Sequence, residues 1–188
     1  MRHVRAIAVL SMSLLHAATA CAWQQAETSR VNPDAKVLAE FKARIDAYVD
    51  LRKREDDGAP TLKRTDDSAN IKVAQDSLAT RIMAARAPAK HGDIFTPEIT
   101  LCFRRLLRPE LKDADTKQLI RDDNPGNIKF KVNGVYPAGE PLSTVPANVL
   151  ASLPQLPPDL EYRFVGKHLI LRDSRANLVI DYIANAIA

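Results

Sequence analysis

The fold class is decided by the stretch Glu161-Tyr-Arg-Phe-Val-Gly-Lys-His-Leu-Ile-Leu-Arg-Asp-Ser-Arg-Ala-Asn-Leu-Val-Ile-Asp-Tyr-Ile183. Apolar residues dominate three short runs, at 161–165, 168–172 and 178–183. Runs of this length and composition predict β-strands. Gly166-Lys167 is a candidate two-residue hairpin turn, and residues 173–177 form a second turn. The stretch therefore predicts an antiparallel meander, which is more stable with a helix against one face.

The segment before the meander is predicted to be extended. Apolar and lysine residues alternate over 128–132, which predicts a half-buried strand, and Asn133-Gly134 is a turn signal. Six prolines between 137 and 160 predict rigid extended chain, with one or two helical turns from Pro146 to Leu153.

Apolar residues recur every three or four positions in the first half of the chain, which predicts helices. The first helix starts at Pro33 with Asn32 as its cap and runs to about Arg54. The second carries its apolar face from Ile71 to Ala85 and is closed by Pro88. Two amphipathic helices joined by a polar loop predict an antiparallel hairpin.

A third helix start is marked by Thr96-Pro97-Glu98, which offers a capping side chain, a proline and an acid in the first turn. Phe95 lies just before the cap and is expected to pack onto the first turns of the helix. With Asp93 and Thr96 it also forms a candidate interaction loop. A short further helix is expected from Ala114 to Arg121.

These patterns predict an α+β protein, with an N-terminal helical hairpin, further helices and a small C-terminal antiparallel sheet. The expected organisation has four parts: a signal peptide at 1–22, a tether at 23–32, a helical region at 33–125 and a β-rich region at 126–188.

The first 22 residues are typical of a secretory signal peptide, with a basic start, a short apolar run and small residues at the end. Cleavage before Cys21 and cleavage before Trp23 both fit. Ala18-Thr19-Ala20-Cys21 also looks like a bacterial lipobox, in which Cys21 would be lipidated, although Ala18 stands where leucine is usual. We therefore expect a periplasmic or secreted protein, with a lipid anchor at Cys21 as the alternative.

The charge pattern argues against nucleic-acid binding. The signal segment holds Arg2 and Arg5, so 25 of the 27 basic residues remain after cleavage, against 23 acidic ones. Both signs are interspersed and form no stripe, as on a solvated surface. No later segment is long and apolar enough to be expected to span a membrane.

Candidate chemical groups are few. The sequence has no nucleophile elbow, phosphate loop or zinc signature, so we predict no catalytic, cofactor or metal site. Cys102 lies beside Phe103 in a helical pattern and is expected to be buried and inert. His91 and Asp93 are two apart, as in some metal sites, but two ligands do not define a site. His168 is expected to be exposed on a hairpin.

The run Gly92-Asp-Ile-Phe-Thr-Pro-Glu98, followed by Phe103-Arg-Arg-Leu106, resembles a segment of an uncharacterised family of exported bacterial proteins. The C-terminal runs 160–166, 169–173 and 177–181 are similar to that family as well. The family has no assigned activity, so the resemblance implies export and a bacterial source, without any chemistry.

From these patterns we expect a non-enzymatic protein that binds another protein or a component of the cell envelope. The alternative is a periplasmic hydrolase that uses scattered carboxylates or Cys102. An enzyme would need convergent polar groups in a concave pocket, whereas a binding module would present apolar surface.

Overall fold

The computed structural model describes residues 32–58 and 67–187. In these ranges the helices are α1 (Pro33–Asp57), α2 (Ser68–Ala85), α3 (Pro97–Glu110), α4 (Ala114–Asp122) and α5 (Ala147–Ser152). The strands are β1 (Gly134–Val135), β2 (Leu160–Val165), β3 (His168–Asp173) and β4 (Leu178–Ile183). The predicted signal peptide, the tether over 23–31 and Cys21 lie outside the described residues.

The four strands form one antiparallel sheet in the order β1-β4-β3-β2. The predicted meander is confirmed as β2, β3 and β4. Gly166 opens the two-residue turn between β2 and β3 with a φ of +56°, which glycine adopts at low cost. Strand β2 pairs only with β3, so its other side is an edge of the sheet.

The strand predicted over 128–132 is wrong. The alternation is real, since Ile128 and Phe130 are partly buried while Lys129 and Lys131 are exposed, but this segment pairs with no strand. Ile128 and Phe130 pack instead onto the outer face of the sheet, against a small cluster that includes Ile170. An alternating pattern indicates an extended chain that is buried on one side. Such a chain can pack across the face of a sheet without forming the hydrogen bonds of a strand.

The helices cover the other face of the sheet. One core joins Phe41, Ile45 and Tyr48 of α1 to buried residues of α2, α3 and all three long strands. The described residues from Asp34 onward form one compact unit. The predicted α+β class is therefore confirmed, with the helical half packed on the sheet.

Helices α1 and α2 run antiparallel. Near the end of α1, the Glu55 carboxylate lies 3.5 Å from Nε of Arg81. Two turns earlier in α1, the ring of Tyr48 packs against the guanidinium of Arg86, with Cζ 5.1 Å from the ring centroid. Earlier residues of α1 thus contact later residues of α2. The predicted apolar face of α2 is too long, because Ile71 is 49% exposed and the burial begins near Leu78. No helix of the described ranges is long and apolar enough to cross a membrane.

Candidate functional site

A cleft of about 670 Å³ opens between α5 and the edge strand β2. Twelve residues line it, and half of them carry aliphatic side chains: Val145, Leu150, Ala151, Leu153, Leu156 and Leu160. Its size lies within the range of ligand pockets, which are concave and mostly apolar with a few placed polar groups. We call this feature the β2 cleft.

Prolines flank the helix that forms one wall of the β2 cleft. Pro146 stands at the N-cap position of α5 without a side-chain capping bond, and the helix ends at Ser152, two residues before Pro154. Val149 is fully buried and holds α5 onto the core, which leaves Leu150 on the cleft side with 46% of its surface exposed. The chain then returns to β2 through a turn in which the Leu160 N–H donates to the Pro157 carbonyl (3.2 Å).

Several polar side chains of the β2 cleft are bonded to the protein itself, whereas Arg163 Nε is buried without a partner among the described residues. The Tyr162 hydroxyl donates to the Pro154 carbonyl (3.1 Å), and burial raises the pKa of Tyr162 well above its usual range. The two terminal nitrogens of Arg163 donate to the Ser143 carbonyl (2.7 Å) and to Glu161 (2.6 Å). The cleft therefore combines apolar contact with two polar groups that an occupant could still bond, Arg163 Nε and the exposed amide of Gln155.

Glu161 accepts from two arginines. Arg163 and Arg172 both bond its carboxylate. Burial by itself would raise the pKa of Glu161, but these hydrogen bonds outweigh burial and hold the pKa below its usual range. Glu161 is thus an ionised, fully engaged group and is poorly suited to act as a general acid or base at neutral pH.

The free edge of β2 is occupied by side chains. The Ser143 hydroxyl accepts from the Phe164 N–H (3.0 Å) and donates to the Phe164 carbonyl (2.6 Å). Two residues on, the Asn124 amide bonds the N–H and the carbonyl of Gly166 (2.8 and 2.7 Å). These side chains blunt this part of the edge against pairing with another strand.

The predicted interaction loop is tied to the sheet by a buried acid, Asp181. The N–H groups of Gly92, Ile94 and Phe95 donate to its carboxylate at 3.1, 2.8 and 2.9 Å. The neighbouring Tyr182 N–H donates at 2.8 Å, and Nδ1 of His91 lies 3.3 Å away. Asp181 was not among the predicted site residues. The sequence feature that could have indicated it is the position of a single acid inside the otherwise apolar run 178–183.

The three predicted loop residues have separate roles in the structure. Phe95 is 2% exposed and contacts the rings of Phe41 and Phe103, with centroids 5.8 and 5.2 Å away. Thr96 caps α3 by accepting from the Ile99 N–H (3.4 Å), as predicted. Asp93 accepts from the Lys90 N–H (2.9 Å) and is partly exposed. Binding of a partner by this loop stays a prediction. The ring of Phe95 is buried and therefore is not available to contact such a partner.

Cys102 is buried, as predicted, with 1% of its surface exposed. Burial first, and Asp34 second, raise the pKa of its thiol. A thiol with a raised pKa and no solvent access is a poor nucleophile. Cys102 does not line the β2 cleft.

The two histidines of the described residues, His91 and His168, both pack against Tyr182 on the outer face of the sheet. His91 stacks on Tyr182 with centroids 4.1 Å apart, and His168 meets the same ring edge-on at 5.5 Å. The predicted exposure of His168 is wrong, because Phe130 also packs against it at 5.7 Å and its Nδ1 is buried without a partner in the described ranges. Within those ranges no three His, Cys, Asp or Glu residues are grouped to hold a metal ion.

Comparison with protein families, with curated proteins and with solved structures finds no match for this chain. The resemblance to exported bacterial proteins is therefore neither supported nor contradicted, and stays a prediction.

Proposed function

We propose that this chain is an exported, non-enzymatic protein of the cell envelope that binds its partner in the β2 cleft. Export is inferred from the signal-like residues 1–22, and the mature protein is periplasmic or secreted, with a lipid anchor at Cys21 as the alternative. The observation that carries the binding role is the cleft itself, whose lining is half aliphatic and whose tyrosine hydroxyl and glutamate carboxylate already have protein partners.

This chemistry favours binding over catalysis. A catalytic pocket needs a nucleophile or a base with a tuned pKa near the reacting atom. The carboxylate of the cleft, Glu161, is held by two arginines, and Cys102 is buried elsewhere. The apolar lining is the feature that an occupant would use.

Site-specific photo-crosslinking in the native host tests this proposal. A benzophenone amino acid replaces Leu150, which lines the cleft, and in a matched control it replaces Leu119 of α4, which is 60% exposed and outside the cleft. We expect a defined adduct at position 150 and none at 119. Equal labelling at both positions would mean that the cleft is not the binding site.

The intact mass of the same protein, recovered from the envelope fraction, tests export. Loss of the first 20 or 22 residues is expected from the two cleavage positions that the sequence allows. A diacylglyceryl mass on Cys21 would select the lipoprotein alternative. Recovery of an uncut chain starting at Met1 from the periplasm would contradict the signal peptide.

A further inference from the structure

We propose that residues 127–132 form a strap over the outer face of the sheet, and that acidification opens this strap with His168 as the trigger. We call these residues the outer strap. None of them lines the β2 cleft, so this inference goes beyond the proposed binding function and does not rest on it. An open strap would uncover apolar surface of the sheet in acidic surroundings only.

The outer strap is hydrogen-bonded beside its two ends and not between them. Before it, the side chain of Asn124 bonds the N–H and the carbonyl of Gly166. After it, the Asn133 N–H donates to the Val179 carbonyl (2.8 Å). No N–H of residues 129–132 donates to a residue that the structure describes. A segment fastened in this way can open locally while the sheet stays folded.

Two side chains hold the outer strap closed between its ends. Ile128 and Phe130 are partly buried and pack onto a cluster on the outer face of the sheet. The cluster includes Val165, Ile170 and Val179, each at most 1% exposed. Closing the strap therefore rests on apolar contact, which a charge placed beneath it would oppose.

His168 lies where such a charge would act. Its ring meets the Phe130 ring edge-on, with centroids 5.7 Å apart, and its Nδ1 is buried without a partner in the described ranges. A neutral imidazole can leave one nitrogen unprotonated, whereas an imidazolium carries an N–H on both. Protonation of His168 would therefore place a charge and an unsatisfied donor under the strap, and both are costly in an apolar setting.

The surroundings of His168 offer no compensating acid. The elements packed around it carry these titratable or charged side chains: His91 before α3, Lys129 and Lys131 on the strap, Glu161 and Arg163 on β2, Lys167 in the hairpin turn, Arg172 on β3, and Asp181 and Tyr182 on β4. The carboxylate of Asp181 is paired with His91, and that of Glu161 with two arginines. Burial first, and His91 second, lower the pKa of His168.

Proton linkage gives the direction of the response. The closed strap holds the pKa of His168 below 6.5, and the open strap returns the ring to water and to that ordinary value. Above about pH 6.5 the ring is neutral in both states, so pH has no effect there. Below it the open state takes up the proton first and is favoured. A pKa difference of about half a unit between the two states changes the opening equilibrium about threefold.

Thiol labelling of Ile128→Cys measures the opening in the chain from Trp23 onward, where Cys102 is the only native cysteine. Each labelling rate is divided by the rate of the same chain in urea at the same pH, which cancels the reactivity of the thiolate. Position 128 should lose at least about threefold of its protection between about pH 8 and about pH 5. Cys102, buried in the helical core, is the internal control and should keep its protection.

Two further variants and a second measurement identify the trigger. His168→Gln should make the protection at position 128 independent of pH, and His91→Gln should move the response to higher pH. Fluorine NMR with 4-fluorophenylalanine follows the strap without a new cysteine. The Phe130 signal, identified by its loss in Phe130→Leu, should move toward its unfolded position in acid, while the other phenylalanine signals stay in place.

Protection at position 128 that does not change with pH, or that falls equally in His168→Gln, would overturn the strap mechanism. Simultaneous loss of protection at position 128 and at Cys102 would show global unfolding, and would reject a strap that opens by itself. Stronger protection in acid would mean that the rings of Phe130 and Tyr182 hold the His168 cation, which also contradicts the proposal.

Discussion

Asp181 is the side chain of the sheet that holds the loop leading into α3. It is fully buried and accepts from four backbone N–H groups, three of them from the loop that leads into α3. A register shift places it there: Arg172 pairs with Val179 but Leu171 pairs with Asp181, so Ile180 is an extra residue in β4. Bulges of this kind re-aim a side chain, and here the carboxylate is aimed at the loop.

Asp181→Asn should destabilise the protein by about 3 kcal/mol or more, because it removes a charge-assisted set of hydrogen bonds and turns an amide N–H₂ toward backbone donors. Urea denaturation measures this. Asp93→Asn in the same loop is the control, since its single bond to Lys90 can be kept by the amide oxygen, and should cost less than about 1 kcal/mol. Equal costs for the two variants would show that the loop is held by other contacts.

At the scale of elements, helix α3 is fixed at its start by two devices of different strength. Thr96 supplies one capping bond, whereas Phe95 contributes a ring that packs between α1 and α3. The cap orients the first turn, and the ring attaches the turn to the core. Burial of a large ring outweighs one hydrogen bond at the surface.

Phe95→Ala should therefore lower the free energy of unfolding by about 3–5 kcal/mol, and Thr96→Ala by about 1 kcal/mol. Thermal melting without any ligand gives the comparison, and Phe95→Leu, which keeps most of the volume, should fall between them. A melting temperature that Phe95→Ala leaves unchanged would contradict the packing described for this ring.

At the scale of the whole molecule, stability is linked to pH through His168. Burial first, and the nearby His91 second, lower the pKa of His168 from its ordinary value of 6.5. The unfolded chain therefore takes up a proton near pH 6.5 that the folded protein still excludes. The contribution of His168 to the free energy of unfolding is therefore complete above about pH 6.5 and decreases as the pH drops from there toward the pKa of the folded protein.

His168→Gln should flatten this part of the stability profile, measured by urea denaturation between about pH 8 and about pH 5. An NMR titration of the His168 ring in the wild-type protein should give a pKa below 6.5, and His91→Gln should raise that pKa part of the way back. A His168 pKa at or above 6.5 would remove the basis for the pH dependence.

The sequence by itself determined the elements whose signals are local. Strands β2 to β4, the cap of α3 at Thr96 and the burial of Cys102 follow from alternation, from turn residues such as Gly166 and from helical spacing. These signals act between residues close in the chain, and the structure adopts them with boundaries shifted by a few residues. A short helix at α5 was also predictable from its flanking prolines.

Only the tertiary structure decided where those elements pack and which hydrogen-bond partners their side chains have. The alternation over 128–132 would be the same in a paired strand and in a chain that packs across the face of a sheet. The two cases differ only in where the segment lies relative to the sheet, which the tertiary structure decides. Ser143 and Asn124 bond the edge of β2 from outside the meander, and Asp181 lies at a bulge more than 85 residues along the chain from the loop it binds. Contacts between residues so far apart in sequence leave no periodic trace in the chain, because each depends on where the whole core places its elements.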